Sequence, residues 1–568
     1  MLTAPTYIPA VPDMDAADPL GTGAVIETFY RSIFPGINNV VAHVRIYSAI
    51  CWMVGRIEET ARSTPGADVL ALSKAGLEKI QLLLTWYNRH NVVGIAGAQR
   101  RFPSDNRWVK LSFRDIPSEK VSKILDDNPE ATISDPGAQF LNELQYEPSL
   151  TGGLGFLERN PQYSGTYTLS IAGRKLADRY DRVIRGSKWY DWLADLNMVT
   201  TRVEDVQEMG DLLDVRAPSP QERQVFANAY YPVSKDDVTG SRVQYRCIGV
   251  TLLLRALEAE QAKRDPGTMG VDVEALRLTM ARGTTLQGVP VDLQGLEVFQ
   301  GWWMNLLLRE LIRLALDTLS RNVAVWINHA TLLELPQRDI ATCAEQLGAR
   351  MESALPDKFR SSVRSHIAHL HMLRGATAET FYEASVAVPE LRVDMLLERL
   401  LKVSNFGKGT AEEKDALVEA YQSLVFCAVE ARQLLTNPHV EQTLARNDRL
   451  SLAALRGVLS DFEDDRPAAF VAHIIQFYVV LLHFNVVRER TRRDANNRFI
   501  FTIGEDGLEQ VTAKNVFPGV GLGASRNRLR QALVILAQCG FVESRDGPSS
   551  FVLTDAGRER LTRGVPNL

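Results

Sequence analysis

The chain has 568 residues, of which 45% are apolar, 23% charged and 8% aromatic, and 64 Lys+Arg stand against 69 Asp+Glu for a net charge of −5. This balance excludes intrinsic disorder, a collagen-like repeat and a disulfide-stapled mini-protein, and the length predicts about three to four domains, each able to bury its own core. The charge is uneven: Arg488 to Leu568 holds 13 Arg+Lys and 9 Asp+Glu, a balance of +4 that leaves −9 for the rest, so only the C-terminal end suits a polyanion.

The first 20 residues are Pro- and Ala-rich and read as an extended leader, with no cationic or apolar stretch of the kind a secretory signal needs. A helical segment is predicted from about Gly23. After the turn at Pro35-Gly36, Asn38 or Asn39 can cap a helix in which Val41, Val44, Tyr47, Ser48, Cys51, Trp52 and Gly55 recur at spacings of three and four, one wall of a helical core. A second helix over Leu77 to Asn88 and the loop Asn91 to Trp108 complete an N-terminal helical domain, 1–120. The loop combines glycines with Gln99, Arg100, Arg101, Arg107 and Trp108, a composition suited to an anion or a nucleic-acid strand, and equally suited to pairing with the acidic body of the protein.

An internal repeat is the most informative feature. Gly155 to Leu176 reads GFLERNPQYSGTYTLSIAGRKL and Gly540 to Leu561 reads GFVESRDGPSSFVLTDAGRERL. In both, apolar alternation flanks a Gly-containing turn, which makes a β-hairpin, and a Ser or Thr then caps a short helix. Before the second copy a helix is expected with Ser525 as N-cap, Leu529, Ala532, Leu533, Leu536 and Ala537 along one face, and Gly540 as its stop.

Helix, Gly-Phe stop, hairpin and capped terminal helix together resemble the winged-helix family of helix-turn-helix domains. The resemblance covers about Ile503 to Arg563, and more weakly Asp135 to Arg185. It implies that the helix before the second hairpin enters the major groove of duplex DNA, with Arg526, Asn527, Arg528, Arg530 and Gln531 toward phosphates or base edges and Arg545 at the wing. Winged helices also serve as protein-docking modules. In the first copy the preceding segment carries Asp135, Glu143 and Glu147 and no Arg or Lys, so docking or a structural role is expected there, although Arg159, Arg174 and Lys175 could touch a backbone.

Between the copies the chain is long and helical without a 30–50-residue period, which predicts an irregular bundle. Ala468 to Val487 approaches membrane length, but His473, Gln476 and His483 interrupt it, so a buried core helix is expected and no membrane. His366, His369 and His371 form a cluster that one metal could not collect on a regular helix. Pro518 to Ser525 superficially matches a phosphate loop but lacks its Lys-Ser/Thr, no Gly-x-Ser-x-Gly elbow occurs, and the five scattered cysteines suit a reducing compartment. Trp302-Trp303 is expected in a core or a subunit interface.

The expected architecture is mainly α, helical domains with two small winged-helix (α+β) modules: 1–120 helical, 121–190 winged-helix-like, 191–487 a central bundle, 488–568 a C-terminal winged helix. The expected protein is a cytoplasmic, non-catalytic DNA-binding or scaffold subunit with no cofactor and no metal. Its partners would be double-stranded DNA and other subunits, with self-association into a homo-oligomer open. It is similar in outline to accessory subunits of bacterial DNA-handling and anti-phage defence complexes, whose ATPase or nuclease lies in a neighbouring chain. The alternatives are a kleisin-like subunit bridging ATPase heads, and a metal-dependent enzyme in the central bundle.

Overall fold

The structure, a computed structural model, describes residues 18, 20–37, 42–92, 95–98, 100, 102–113, 140–141, 145–234, 240–262, 270–333, 338–404, 411–434, 449–491, 500–510, 528–547 and 549–563. Mainly helical, it carries only small antiparallel sheets. In chain order the helices used below are α1 (Thr22–Ile33), α2 (Val44–Ser63), α3 (Val69–Asn88), α4 (Ile171–Ile184), α5 (Pro220–Tyr230), α6 (Ser241–Gln261), α7 (Val273–Arg282), α8 (Glu297–Leu332), α9 (Ile340–Ala354), α10 (Val363–Arg374), α11 (Ala411–Leu434), α12 (Pro467–Ile474), α13 (Arg528–Gln538) and α14 (Asp555–Thr562). The strands are β1 (Val109–Lys110), β2 (Leu157–Arg159), β3 (Tyr167–Leu169), β4 (Thr200–Thr201), β5 (Val271–Asp272), β6 (Phe501–Gly504), β7 (Gly507–Gln510), β8 (Val542–Ser544) and β9 (Ser550–Leu553).

The chain divides into two compact units, one formed by Met1–Phe29 with Arg277–Arg526 and one by Tyr30–Leu276 with Asn527–Leu568. This division differs from the four consecutive stretches expected, for a physical reason visible in the second unit. There β5 pairs antiparallel with β9, which also pairs with β8, in the order β5-β9-β8. The C-terminal hairpin is thus completed by a strand some 280 residues upstream, and its sheet cannot form from 488–568 alone.

The core of the second unit is built on α2. Tyr47 sits edge-on to Tyr146, Phe156 and Phe226, with ring centroids at 5.1, 6.1 and 5.0 Å, and shares a hydrogen bond of 2.7 Å with Ser149. The turn at Gly36, φ +90°, crosses the turn at Gly153 so closely that a Cβ on Gly153 would stand 2.1 Å from the Gly36 Cα. The fully buried Arg246 of α6 fastens this crossing: it donates to the Pro35 carbonyl at 3.1 Å and the Gly153 carbonyl at 2.8 Å, and to the Tyr230 and Ala229 carbonyls at 2.8 and 2.9 Å. One guanidinium, with its five N–H donors, thereby gathers four backbone carbonyls at a single point.

In the other unit α8 is largely enclosed: Trp303, Leu306, Leu307, Leu308, Leu311, Leu316 and Leu319 are completely buried, and Asn305, Arg309, Glu310, Asp317 and Asn322 are buried polar or charged groups on the same helix. The Trp302-Trp303 pair is core, Trp302 stacking on Phe299 at 4.6 Å. One helical stretch, Pro467–Glu489, is long and apolar enough to cross a membrane, with a mean hydropathy of 1.8. Here it packs against α9, with Phe470, Val471, Ile474, Ile475, Val479 and Val480 in the core. A hairpin that the sequence pattern did not announce, β6 with β7, turns at Gly507, φ +106°. A Cβ there would meet the Arg338 carbonyl at 2.4 Å, the same carbonyl that accepts from the Leu508 N–H.

Candidate nucleic-acid interface

The two copies of the repeat fold alike, with the same hairpin pairing and the same cap on the following helix. In the first, β2 and β3 pair antiparallel, Ser170 N–H and Oγ both donate to the Phe156 carbonyl at 3.1 Å, and Ser170 Oγ accepts from the Gly173 N–H at 3.0 Å to cap α4. In the second, Thr554 N–H donates to the Phe541 carbonyl at 3.1 Å, and its Oγ1 donates to the Gly540 carbonyl at 2.7 Å and accepts from the Gly557 N–H at 3.1 Å to cap α14. The shared Ala-Gly-Arg also gains a reason. A Cβ on Gly173 would lie 2.0 Å from the Phe156 oxygen, and one on Gly557 2.1 Å from the Phe541 oxygen, so only glycine lets the helix sit on the strand.

The equivalence extends to distant helices. Leu169 N–H donates to the Glu58 side chain of α2 at 2.7 Å, and its counterpart Leu553 N–H donates to the Gln261 side chain of α6 at 3.0 Å. Each hairpin therefore leans on a long helix whose carboxylate or amide, near the helix C-terminus, fills an edge position. Ser170→Ala and Thr554→Ala are each expected to lower stability by about 1 kcal/mol, measured by chemical denaturation; no loss from either would sink the shared capping role.

The expected DNA-facing helix is α13, and most of its surface is already engaged. Leu529, Ala532, Leu533 and Leu536 are buried in the core as predicted. Arg528, expected to meet phosphate, is only 3% exposed and donates from Nη1 to the Ile37 carbonyl at 2.7 Å, so its charge is spent inside the protein. At the other end Gln538 accepts from the Val44 N–H at 2.6 Å and donates to the Ala42 carbonyl at 2.8 Å. The same helix leaves Arg530 exposed and Gln531 half-buried. Arg545, at the hairpin tip, is half-buried, and its neighbour Asp546, at φ +63°, accepts from the Gly270 N–H at 2.8 Å. Arg526 and Asn527 lie outside the described residues.

Among the described residues of the Asn91 to Trp108 loop, the cations are engaged within the protein. Arg100 is 4% exposed, its guanidinium 4.4 Å from the Phe113 ring centroid, and Arg107 pairs with Asp105 at 2.8 Å; Gln99 and Arg101 lie outside the described residues. Trp108 is half-exposed, with Arg202 5.2 Å from its ring.

The first copy supplies the exposed cationic helix that the sequence pattern suggests for the second. Arg159 and Arg174 are tied to Glu147 and Glu58 at 2.9 and 3.1 Å, and Arg185 to Asp181 at 2.6 Å. Lys175, Arg179 and Arg182 of α4, however, fall at i, i+4 and i+7, one face of the helix. Lys175 and Arg182 are exposed and Arg179 is half-exposed, and no carboxylate of the described residues lies within ion-pair distance of the three. Their spacing is present in the sequence, where the acidic segment before the hairpin masks it.

The remaining candidates hold no reactive constellation. His366 is buried between Phe359 and Tyr421, centroids at 4.9 and 5.5 Å, and burial draws its pKa down to about 4. Among the described residues no group of three His, Cys, Asp or Glu could hold a metal ion. All five cysteines are free, Cys539 half-buried and the others buried, and burial pushes the Cys247 thiol up to about 11. A cavity of about 440 Å³ beside α3 has Lys74 and Glu78 on its wall, 3.9 Å apart and mutually compensating. No family model, no curated protein and no solved structure matches the chain.

Proposed function

We propose that the chain is a non-catalytic, DNA-associated scaffold subunit of a cytoplasmic multiprotein assembly, gripping duplex DNA by its phosphates and leaving ATPase or nuclease chemistry to partner chains. The observation that carries this reading is the row Lys175, Arg179 and Arg182, none of them ion-paired among the described residues, on the helix that follows a wing-like hairpin. Cations on one face of a helix, with the exposed Asp178 beside them but no described carboxylate within ion-pair distance, suit a polyanion, and phosphate contacts position a protein without reading sequence. Arg530 and the wing residue Arg545 add to it from the second copy, whereas the internal bond of Arg528 speaks against base reading by α13.

The order of elements supports the winged-helix part. Helix α6, strand β5, helix α13 and the hairpin β8–β9 occur in the helix–strand–helix–hairpin order of that family, with β5 paired to the hairpin. The first copy would be a reduced version: only five residues, Thr64 to Asp68, join α2 to α3, too few to carry the edge strand.

The test is a salt-titrated binding assay on duplex DNA with the full chain, a Lys175/Arg179/Arg182→Ala variant and an Arg530/Arg545→Ala variant. The intact protein is expected to bind at low salt. The triple variant should flatten the slope of log K against log salt by about 0.9 for each phosphate it no longer neutralises. No binding by the intact chain, or an unchanged slope in both variants, overturns the reading.

A further inference from the structure

In the unit formed by residues 1–29 and 277–526, three arginines converge on one small cavity. Arg309, Ile312 and Arg313 lie one turn apart on α8, Thr22 and Val25 come from the start of α1, and Arg449-Leu450 closes the third side. The cavity, partly open to solvent, has a volume of about 10 Å³, room for one water-sized occupant. Gly21, at φ +68°, lets the Arg449 guanidinium approach, since a Cβ there would stand 2.8 Å from Arg449 Nε.

The three cations are not equivalent. Arg313 Nε lies 3.4 Å from Asp317, and Arg449 Nη2 lies 3.3 Å from Glu489. Arg309 is 7% exposed, donates from Nη1 to the Leu450 carbonyl at 3.0 Å, and has neither an acceptor for Nε nor a carboxylate within ion-pair distance among the described residues. The Thr22 hydroxyl, also buried on the cavity wall, lacks a hydrogen-bond partner among them too. Asp18 accepts from the Gly23 and Ala24 N–H groups at 2.9 and 3.2 Å. Burial draws the Arg309 pKa down to about 10, which still leaves the guanidinium charged at neutral pH. A buried cation without a counter-charge, beside a buried hydroxyl without an acceptor, is an arrangement that a bound anion would complete.

We propose that this cavity is a binding site for a small monovalent inorganic anion of chloride size, held by Arg309 Nε and the Thr22 hydroxyl between the guanidiniums of Arg313 and Arg449. The occupant would pin the first turn of α1 to the middle of α8, giving the anion a structural role.

The experiment compares thermal unfolding of the full chain in sodium chloride and in sodium gluconate at equal ionic strength, with Arg309→Met and Thr22→Val beside the unaltered protein. Chloride is expected to raise Tm saturably, by about 2–4 °C, with the difference abolished in Arg309→Met and reduced in Thr22→Val. Crystals grown in bromide should show an anomalous peak within the cavity, a readout that needs no variant to fold. No chloride-specific shift in the unaltered protein, an equal shift in Arg309→Met, stabilisation by inorganic phosphate alone, or an ordinary water in the bromide crystals would each overturn the proposal.

Discussion

Gly153→Ala is expected to destabilise the unit formed by residues 30–276 and 527–568 by about 3 kcal/mol or more. The added methyl would stand 2.1 Å from the Gly36 Cα and 2.9 Å from its nitrogen, and both obstacles are backbone. A flexible side chain could swing aside, but here one of two turns must move, and overpacking of this kind is costly because the neighbours cannot relax. Movement is resisted from three directions. Arg246 holds Pro35 and Gly153 together, Ser149 Oγ donates to the Gly36 carbonyl, and Arg528 holds the Ile37 carbonyl at 2.7 Å. The control is Gly165→Ala at the first hairpin tip, where φ is +83° but nothing lies within 4 Å; only the left-handed backbone penalty of about 1–2 kcal/mol applies. Urea denaturation followed by tryptophan fluorescence, with hydrogen exchange to localise the loss, compares them. Equal losses in the two variants would mean that the crossing is not what demands glycine at position 153.

That crossing also shows where sequence reasoning stops. The Pro35-Gly36 turn, both hairpins, the caps at Ser170 and Thr554 and the apolar face of α13 are legible because each depends on residues a few positions apart. The pairing of β5 with β9 is not, because two residues of strand carry no periodic signal and their partner lies some 280 positions away. Arginine gives the most misleading signal. Its cationic pattern near residue 528 is the same whether the guanidinium meets a phosphate or an internal carbonyl, and the choice is made by the turn at Ile37, almost five hundred residues upstream. Arg45, Arg246, Arg309 and Arg528 are all nearly or fully buried, so in this chain arginine often ties backbone carbonyls together. The exposed row on α4 is informative because it stands outside such ties.

Glu430→Gln is expected to stabilise the protein at neutral pH and to leave it nearly unchanged near pH 5. Glu430 of α11 is 1% exposed and accepts from the Phe381 N–H at 2.8 Å. Burial outweighs that bond and pushes its pKa from 4.5 up to about 7; burial likewise pushes Asp317 of α8 from 3.8 to about 7, against the pull of Arg313. A carboxyl whose pKa is raised on folding holds a proton that the unfolded chain releases. Its contribution is therefore fully present below the unfolded value and falls as pH rises toward 7. At 1.36 kcal/mol per pKa unit, each of these groups costs about 3–4 kcal/mol once the pH is above 7. His366 of α10 acts in the opposite sense. Burial lowers its pKa from 6.5 to about 4, so stability rises with pH across that window by a comparable amount. The glutamine keeps an acceptor for Phe381 without a charge to bury, so one falling term disappears. The variant should therefore gain up to about 3 kcal/mol over the parent at about pH 8 while matching it at about pH 5. Urea denaturation at these pH values measures the difference directly, and parallel curves for parent and variant would show that Glu430 does not carry the buried proton.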